Sequence, residues 1–326
     1  VGKVIAVTGA AGYLGQTLVA YLEKQPWVER IICLDVKPLP STERAISYCM
    51  DVRDFSLLRA IFSEHAVTHL VHAAFIVTPP PGLTEQQMYA ANVEGSQSVF
   101  QNAIGYGIEH ILFISSVAVY GYRSGRSLAV REDAPQAPTM LYGEHKAQVE
   151  RNLKQLADNF PRVRIAVVRP TAVVGPLGRM LSPLRALTAH PIFVLSNGGK
   201  ALTQALHEQD AAALLAAVVE RGLAGVFNAA PNDFASWADI ARLSRLPTVS
   251  LPRSLLNFAT RFNTVWPALR GFTRDVVDLF SESLVVDNTL VRQVTGWMPR
   301  HTTREAFAQL FGAEARELSS VRGLTG

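Results

Sequence analysis

The chain has little of what marks several classes of protein. Among its 326 residues are two cysteines, Cys33 and Cys49, too few for a disulfide-stapled extracellular scaffold. Each lies in an apolar run, so both are expected to be reduced and buried. Their spacing supplies no metal-ligand pattern, and no metal is expected. The longest unbroken apolar run, residues 211–219, is nine residues. A bilayer-spanning helix needs ~20, so no stable membrane insertion is expected. Basic residues (31) and acidic residues (27) are scattered, with a formal net charge of only +4. That argues against nucleic acid as the main partner. The opening "VGKVIAVTGAAGYLG" lacks the basic region, apolar core and cleavage site of a secretory leader, so a cytoplasmic location is expected. Repeats and low-complexity linkers are also missing, and nothing marks a clean domain boundary.

What is present is apolar and regularly spaced. Hydrophobic residues make up 48% of the chain, enough for a large core. Short β-branched runs recur: "VIAVTG" (4–9), "RIICLD" (30–35), "AISYCMDV" (45–52), "HLVHAA" (69–74), "HILFISS" (110–116) and "RIAVVRP" (164–170). Segments of helical periodicity such as "LGQTLVAYLEKQ" separate them. Strand and helix alternating at this pitch predict an α/β fold, a doubly wound parallel (Rossmann) sheet covered on both faces. After Pro170 the alternation fades. "HEQDAAALLAAVVERG" and "GVFNAAP" restore it briefly, and residues 232–312 read as mostly helical with loops. The expected organisation is a cofactor-binding domain over 1–170, rejoined by 208–231, and a smaller interleaved substrate lobe over 171–207 and 232–320.

The stretch "VIAVTGAAGYLGQTLVAYL" supplies strand, glycine-rich turn and helix in that order. Gly9, Gly12 and Gly15 allow a tight turn, a close approach of backbone to a pyrophosphate, and close packing of helix on sheet. The free N–H groups at the helix start favour the phosphates. Asp35, ending the second strand, stands where an acid accepts hydrogen bonds from an adenosine ribose, and its charge would repel a 2′-phosphate. NAD is therefore expected over NADP, although Lys37 lies two places on. Asp51 and Val52 follow the third strand, where they meet an adenine, or "MDVRD" caps a helix.

In "LYGEHKAQVE" (141–150), Tyr142 and Lys146 lie one helical turn apart and share a face. Together with "HAA" (72–74), "NVEGS" (92–96), "ISSVAVYG" (114–121), "VVRPTAVVGP" (167–176) and "TGWMPR" (295–300), this order of motifs resembles the extended short-chain dehydrogenase/reductases of the nucleotide-sugar epimerase and dehydratase type. The resemblance covers almost the whole chain. It implies that Tyr142 is the acid/base, that Lys146 holds the nicotinamide ribose, and that Ser116 binds the substrate oxygen. It also extends the NAD-binding set to Tyr13, Leu14, Ala73, Ala74, Asn92, Pro170 and Val173, and implies a homodimer. A free tyrosine titrates near ~10. An ammonium at about 4 Å in an effective dielectric of about 20 is worth roughly 4 kcal/mol, or about three pKa units. The positive nicotinamide of NAD pushes the same way, so Tyr142 is expected to be poised near neutrality when the cofactor is bound.

Other members of that family that eliminate water carry an Asp-Glu pair after the serine, and its decarboxylases carry a Glu. Here stand Val117 and Ala118, so epimerisation or simple alcohol/ketone oxidoreduction is expected. Nucleotide-sugar enzymes of the family show Arg-Asp before His-Val-x-Asp. In "LTQALHEQD" His207 and Asp210 persist, but Thr203 and Gln204 replace the charged pair. Arg179, Arg185 or Arg274 could grip a diphosphate instead. The loop "FIVTPPPGLTEQQM" and the segment "LLNFATRFNTVWPALRGF" could line an apolar pocket, although core or dimer packing is the blander role for those aromatics. The substrate is then a nucleotide sugar or an apolar, hydroxysteroid-like secondary alcohol. Two further alternatives are a non-catalytic NAD-responsive binding protein and association of residues 254–280 with a membrane surface.

Overall fold

A computed structural model describes residues 2–80, 82–123, 128–178, 191–262 and 273–312. Seven parallel strands form its centre: β1 (Lys3–Thr8), β2 (Val28–Asp35), β3 (Ala45–Cys49), β4 (His69–His72), β5 (His110–Ile114), β6 (Arg164–Pro170) and β7 (Gly225–Ala229). Their order across the sheet is β7-β6-β5-β4-β1-β2-β3. The apolar runs become strands because both faces are buried, and successive side chains feed two different cores. Ile5 and Val7 of β1 pack on one side with Leu18 and Leu22 of α1 (Tyr13–Leu22) and Leu214 and Val218 of α5 (Glu208–Arg221). Val4 and Ala6 face the other side, toward α2 (Phe55–His65), α3 (Gly95–Gly105) and α4 (Leu141–Asn159).

The third run is shorter than its sequence suggests. β3 ends at Cys49, and Asp54 turns the chain by capping α2 through the Leu57 N–H at 3.1 Å. Since β3 is the outer edge of the sheet, Cys49 is exposed and only Cys33 is buried. That corrects the expectation of two buried thiols.

Beyond β6 the mostly helical reading misses three short ladders. Residues 172–174 pair with 205–207, residues 202–203 with 235–236, and residues 193–196 with 248–251. Strands of two to four residues are too short to show an alternation. Phe193, Leu195, Trp237, Ile240, Phe307 and Leu310 build a third core there. The closing "TGWMPR" segment docks on α5. The Trp297 indole N–H donates to the Asp210 carbonyl at 3.1 Å, and the Arg300 and His301 N–H groups donate to the Asp210 carboxylate at 3.0 and 2.9 Å.

Candidate active site

The glycine turn has the geometry its residues require. Gly9 adopts φ +70°, and a Cβ there would lie 2.5 Å from the Ala74 nitrogen, so β1 and the Ala73–Ala74 end of β4 close together only around glycine. A Cβ on Gly15 would fall 2.1 Å from the Gly9 carbonyl oxygen, which fixes how tightly α1 sits on the turn. Gly12 is exposed and begins α1 without a side-chain cap. A cradle that any Cβ would fill, opening on an uncapped helix start, fits a dinucleotide pyrophosphate. Asp35 lies at its rim and accepts from the Ala11 N–H at 2.9 Å and the Lys37 N–H at 3.0 Å. Asp51 pairs with Arg53 at 2.6 Å, and hydrogen bonds from Arg53 hold its carboxyl below the usual range. Val52 packs against the core beside it. Tyr13 and Leu14 form the first turn of α1, where the Tyr13 hydroxyl donates to buried Glu208 at 2.6 Å. Glu208 also accepts from the Leu177 N–H at 3.2 Å, tying the glycine turn to the loop after Val173. Its sequence neighbourhood gave no sign of this, because the partner is 195 positions away.

The structure brings the Ser116 hydroxyl close enough to the Tyr142 phenol to act on its pKa. Ser116 stands two residues past β5 and accepts from the Ala118 N–H at 3.1 Å, which fixes its hydroxyl. Burial pushes the Tyr142 phenol up to about 12, with the Ser116 hydroxyl pulling back. Lys146 does not offset this. Its ammonium donates to the Ile114 carbonyl at 2.6 Å and lies 3.6 Å above the Phe75 ring and 4.6 Å above Phe113. The Tyr142 ring centroid is farther, at 5.7 Å. Burial also lowers the Lys146 pKa well below its ordinary value, against the opposing pull of Glu150. The protein groups alone therefore keep Tyr142 protonated, because burial outweighs a charge that is turned aside.

Phe75 opens the loop read as possible pocket lining, but its place over Lys146 was not foreseen: it covers Lys146 and meets Tyr142 edge-on at 5.7 Å. Asn92 positions that loop. It accepts from the Ile76 N–H at 2.7 Å and donates to the Ile76 carbonyl at 2.9 Å, so its carboxamide is engaged with backbone. The helix beneath the site is anchored by an equally unforeseen network. Glu150 of α4 pairs with Arg169 of β6 at 2.6 Å, both nearly fully buried, and accepts from Ser115 at 2.5 Å. Arg169 donates to the Tyr120 hydroxyl at 2.7 Å, and Tyr120 donates to Asn228 of β7 at 2.8 Å.

Next to Val117 lies a small cavity of about 30 Å³, room for a water molecule. Val117, Tyr122, Ala172, Trp237, Leu279 and Leu284 form its apolar wall. Tyr122 faces Tyr142, and burial together with that neighbour pushes its phenol up. Pro170 and Val173 flank the wall at the end of β6. Arg274 is exposed at the start of a helix, while Arg179 and Arg185 lie outside the described residues. In the segment 254–280, residues 263–272 also lie outside them, and Leu255, Phe258 and Phe262 are exposed. His207, Asp210 and His301 bring three potential ligand atoms within 4.8 Å of one another. Protein groups already engage them: His301 Nδ1 meets Asp210 at 2.9 Å, His207 Nε2 meets Gln309 at 2.9 Å, and the Gln209 N–H donates to His207 Nδ1 at 3.2 Å.

Comparison with known proteins gives this geometry its context. An uncharacterized protein of Mycobacterium tuberculosis (strain ATCC 25618 / H37Rv) is 28% identical over 323 residues, covering 95% of this chain and 83% of the relative. A UDP-glucose 4-epimerase of Lacticaseibacillus casei is 32% identical over 178 residues, 53% of this chain and 52% of the relative. In fold, the chain is similar to a UDP-glucose-4-epimerase of Stenotrophomonas maltophila crystallised with NAD and formylated UDP-arabinopyranose. The TM-score is 0.78 at 19% identity, with 98% and 99% of the two chains covered. The family model of the NAD dependent epimerase/dehydratases matches residues 5–230, from β1 through the last strand of the parallel sheet. The chain belongs to the NAD dependent epimerase/dehydratase family and is an NAD-dependent enzyme.

Proposed function

We propose that the enzyme catalyses reversible hydride transfer between NAD and a secondary alcohol or ketone, with Tyr142 as acid/base and without loss of water. The observation that carries this reading is the approach of Ser116 to Tyr142 beside buried Val117 and Ala118. Elimination requires a second proton carrier near the departing hydroxyl, and neither side chain can carry a proton. The glycine turn, Asp35 and Lys146 hold NAD, which when bound supplies the hydride acceptor. Ser116 orients the substrate oxygen, and Tyr142 takes its proton as the carbinol carbon is oxidised. Residues 1–170 and 208–231 form the cofactor side in this reading, and the remainder the substrate side. The resemblance adds a cytoplasmic homodimer.

The name of the relatives matched over about half their length supports a nucleotide sugar as substrate. Thr203 and Gln204 in place of the family's charged pair favour a second class, apolar secondary alcohols. The mechanism is tested by following NADH absorbance and product mass with both classes. Tyr142→Phe is expected to lower turnover by about 10²–10⁴-fold while NAD affinity holds. Near-normal turnover by that variant, or a dehydrated product from the unaltered enzyme, would defeat the reading.

A further inference from the structure

Glu208 stands where the chain returns to the parallel sheet, as the first residue of α5, and it is 6% exposed. Its carboxylate is shared between two segments distant in sequence. One oxygen accepts from the Tyr13 hydroxyl in the first turn of α1 at 2.6 Å, and the other accepts from the Leu177 N–H at 3.2 Å. Burial, with Glu208 beside it, pushes the Tyr13 phenol up, so the hydroxyl remains the donor. The free N–H groups at the start of α5 favour the negative charge. Gly175 leaves the space for it, since a Cβ there would lie 2.5 Å from a Glu208 carboxylate oxygen. The Gly178 N–H donates to the Gly175 carbonyl at 3.0 Å and closes the loop 175–178 on itself. Leu18 and Leu22 of α1 pack with Leu214 and Val218 of α5, so the two helices are held together without Glu208. What the carboxylate adds is a link between two short pieces, the helix start that fits a pyrophosphate and a loop in the stretch proposed for the substrate side.

We propose that Glu208 is a positioning residue that couples NAD binding at the glycine turn to the order of the loop 175–178. Through Glu208 the Tyr13 side chain holds the first turn of α1 in the arrangement that receives the pyrophosphate, so that ordering is complete before the cofactor arrives. Such coupling is reciprocal. A bridge that favours NAD is itself favoured by NAD, and the Leu177 N–H is then held more firmly when the cofactor is bound. Glu208 touches neither cofactor nor substrate in this account and acts through Tyr13 and Leu177. The proposal rests on NAD occupying the glycine turn, and not on the hydride transfer that follows.

Three variants of the full chain cut the bridge at different points. Tyr13→Phe removes one donor and leaves the carboxylate. Glu208→Gln keeps an acceptor for Tyr13 but sets an amide donor against the Leu177 N–H. Gly175→Ala pushes the carboxylate aside, and the end of a flexible side chain yields without unfolding the protein. NAD binding is read by calorimetry with no substrate present, and backbone hydrogen exchange in the loop 175–178 is followed by mass spectrometry with and without NAD. Each variant is expected to weaken NAD binding by about tenfold, the scale of one hydrogen bond to a charged acceptor. Tyr13→Phe and Glu208→Gln combined should cost little more than either alone, because both cut one bridge. NAD should slow exchange in the loop of the unaltered enzyme and leave it nearly unchanged in the variants. Urea unfolding without NAD is the control: a loss of stability with NAD affinity intact would make the bridge a structural tie and overturn the proposal. Additive losses in the double variant, loop protection that survives Tyr13→Phe, or tighter NAD binding by Glu208→Gln, the mark of a carboxylate that merely repels the pyrophosphate, would each overturn it too. Asp35→Ala separates the two levels. If it weakens NAD binding and the three variants do not, the cofactor site stands and the coupling fails; if none of the four changes NAD affinity, the placement of NAD at the glycine turn fails with it.

Discussion

At the scale of single residues, Tyr142 is the most informative group because its surroundings oppose the acid/base role proposed for it. Burial favours the phenol and raises its pKa to about 12, whereas proton abstraction needs the phenolate. The sign is clear: without a further positive charge Tyr142 stays protonated through pH 10. The difference in phenolate absorbance near 295 nm between the unaltered enzyme and Tyr142→Phe should therefore show no step below pH 10 in the absence of NAD. With NAD bound, the positive nicotinamide should bring a step into view at lower pH. A step near neutrality without NAD would sink this account. Tyr142, Lys146 and the glycine turn were legible in the sequence because their spacing is local. Phe75 over Lys146 and Glu208 on Tyr13 were not, since each depends on what distant segments bring to it.

Among the elements, β4 and β5 carry an unusual load of histidine. His72 is wedged between Thr8 and Ser96 at 2.7 and 2.8 Å, and burial, followed by the charge on Lys146, lowers its pKa to about 3. Burial likewise brings His69 to about 3, helped by Lys3, His110 and Arg164, and His110 to about 4. These folded values lie below the ordinary value near 6.5 of the unfolded chain. Their contribution to stability is complete above about pH 6.5 and is lost as the pH falls through 4 toward 3. Each histidine adds about 1.4 kcal/mol per pH unit to the slope within that window. The urea midpoint should drop steadily from pH 7.5 to pH 4, and His72→Asn should flatten the drop by about one proton. A flat midpoint over that range would contradict the buried-neutral assignment. The strands themselves were legible from apolar runs, but a run does not reveal whether a histidine within it is exposed, paired or neutral. Helix α4 illustrates the same limit. Its periodicity is plain, whereas the burial of Lys146 and Glu150 on its inner face depends on Arg169 and Ile114 across the sheet.

The whole molecule is organised by a sheet whose last strand arrives late. β7 completes the parallel order beside β6, and Asn228 within it closes the chain of hydrogen bonds through Tyr120 to Arg169 and Glu150. The alternation of strands and helices made the sheet legible up to Pro170. The return of the chain after residue 208 was also readable, from one long apolar helix followed by one strand-like run. The ladders in between were not, because two to four residues carry no periodicity. This order of arrival has a consequence for the newly made protein. The partner strand for the outer edge of β6 emerges from the ribosome about 60 residues later, at ~5–20 residues per second a delay of about 3 to 12 s. Throughout that interval the nascent chain presents an open row of backbone donors and acceptors and an unclosed Arg169 network to whatever is nearby. A chain ending at residue 224 is accordingly expected to partition into the insoluble fraction after expression, and one ending at residue 231 to be recovered in larger part. Equal recovery of the two would show that the β6 edge is protected by other means. Until β7 docks, the growing polypeptide carries every side chain proposed for catalysis on a sheet with an open edge.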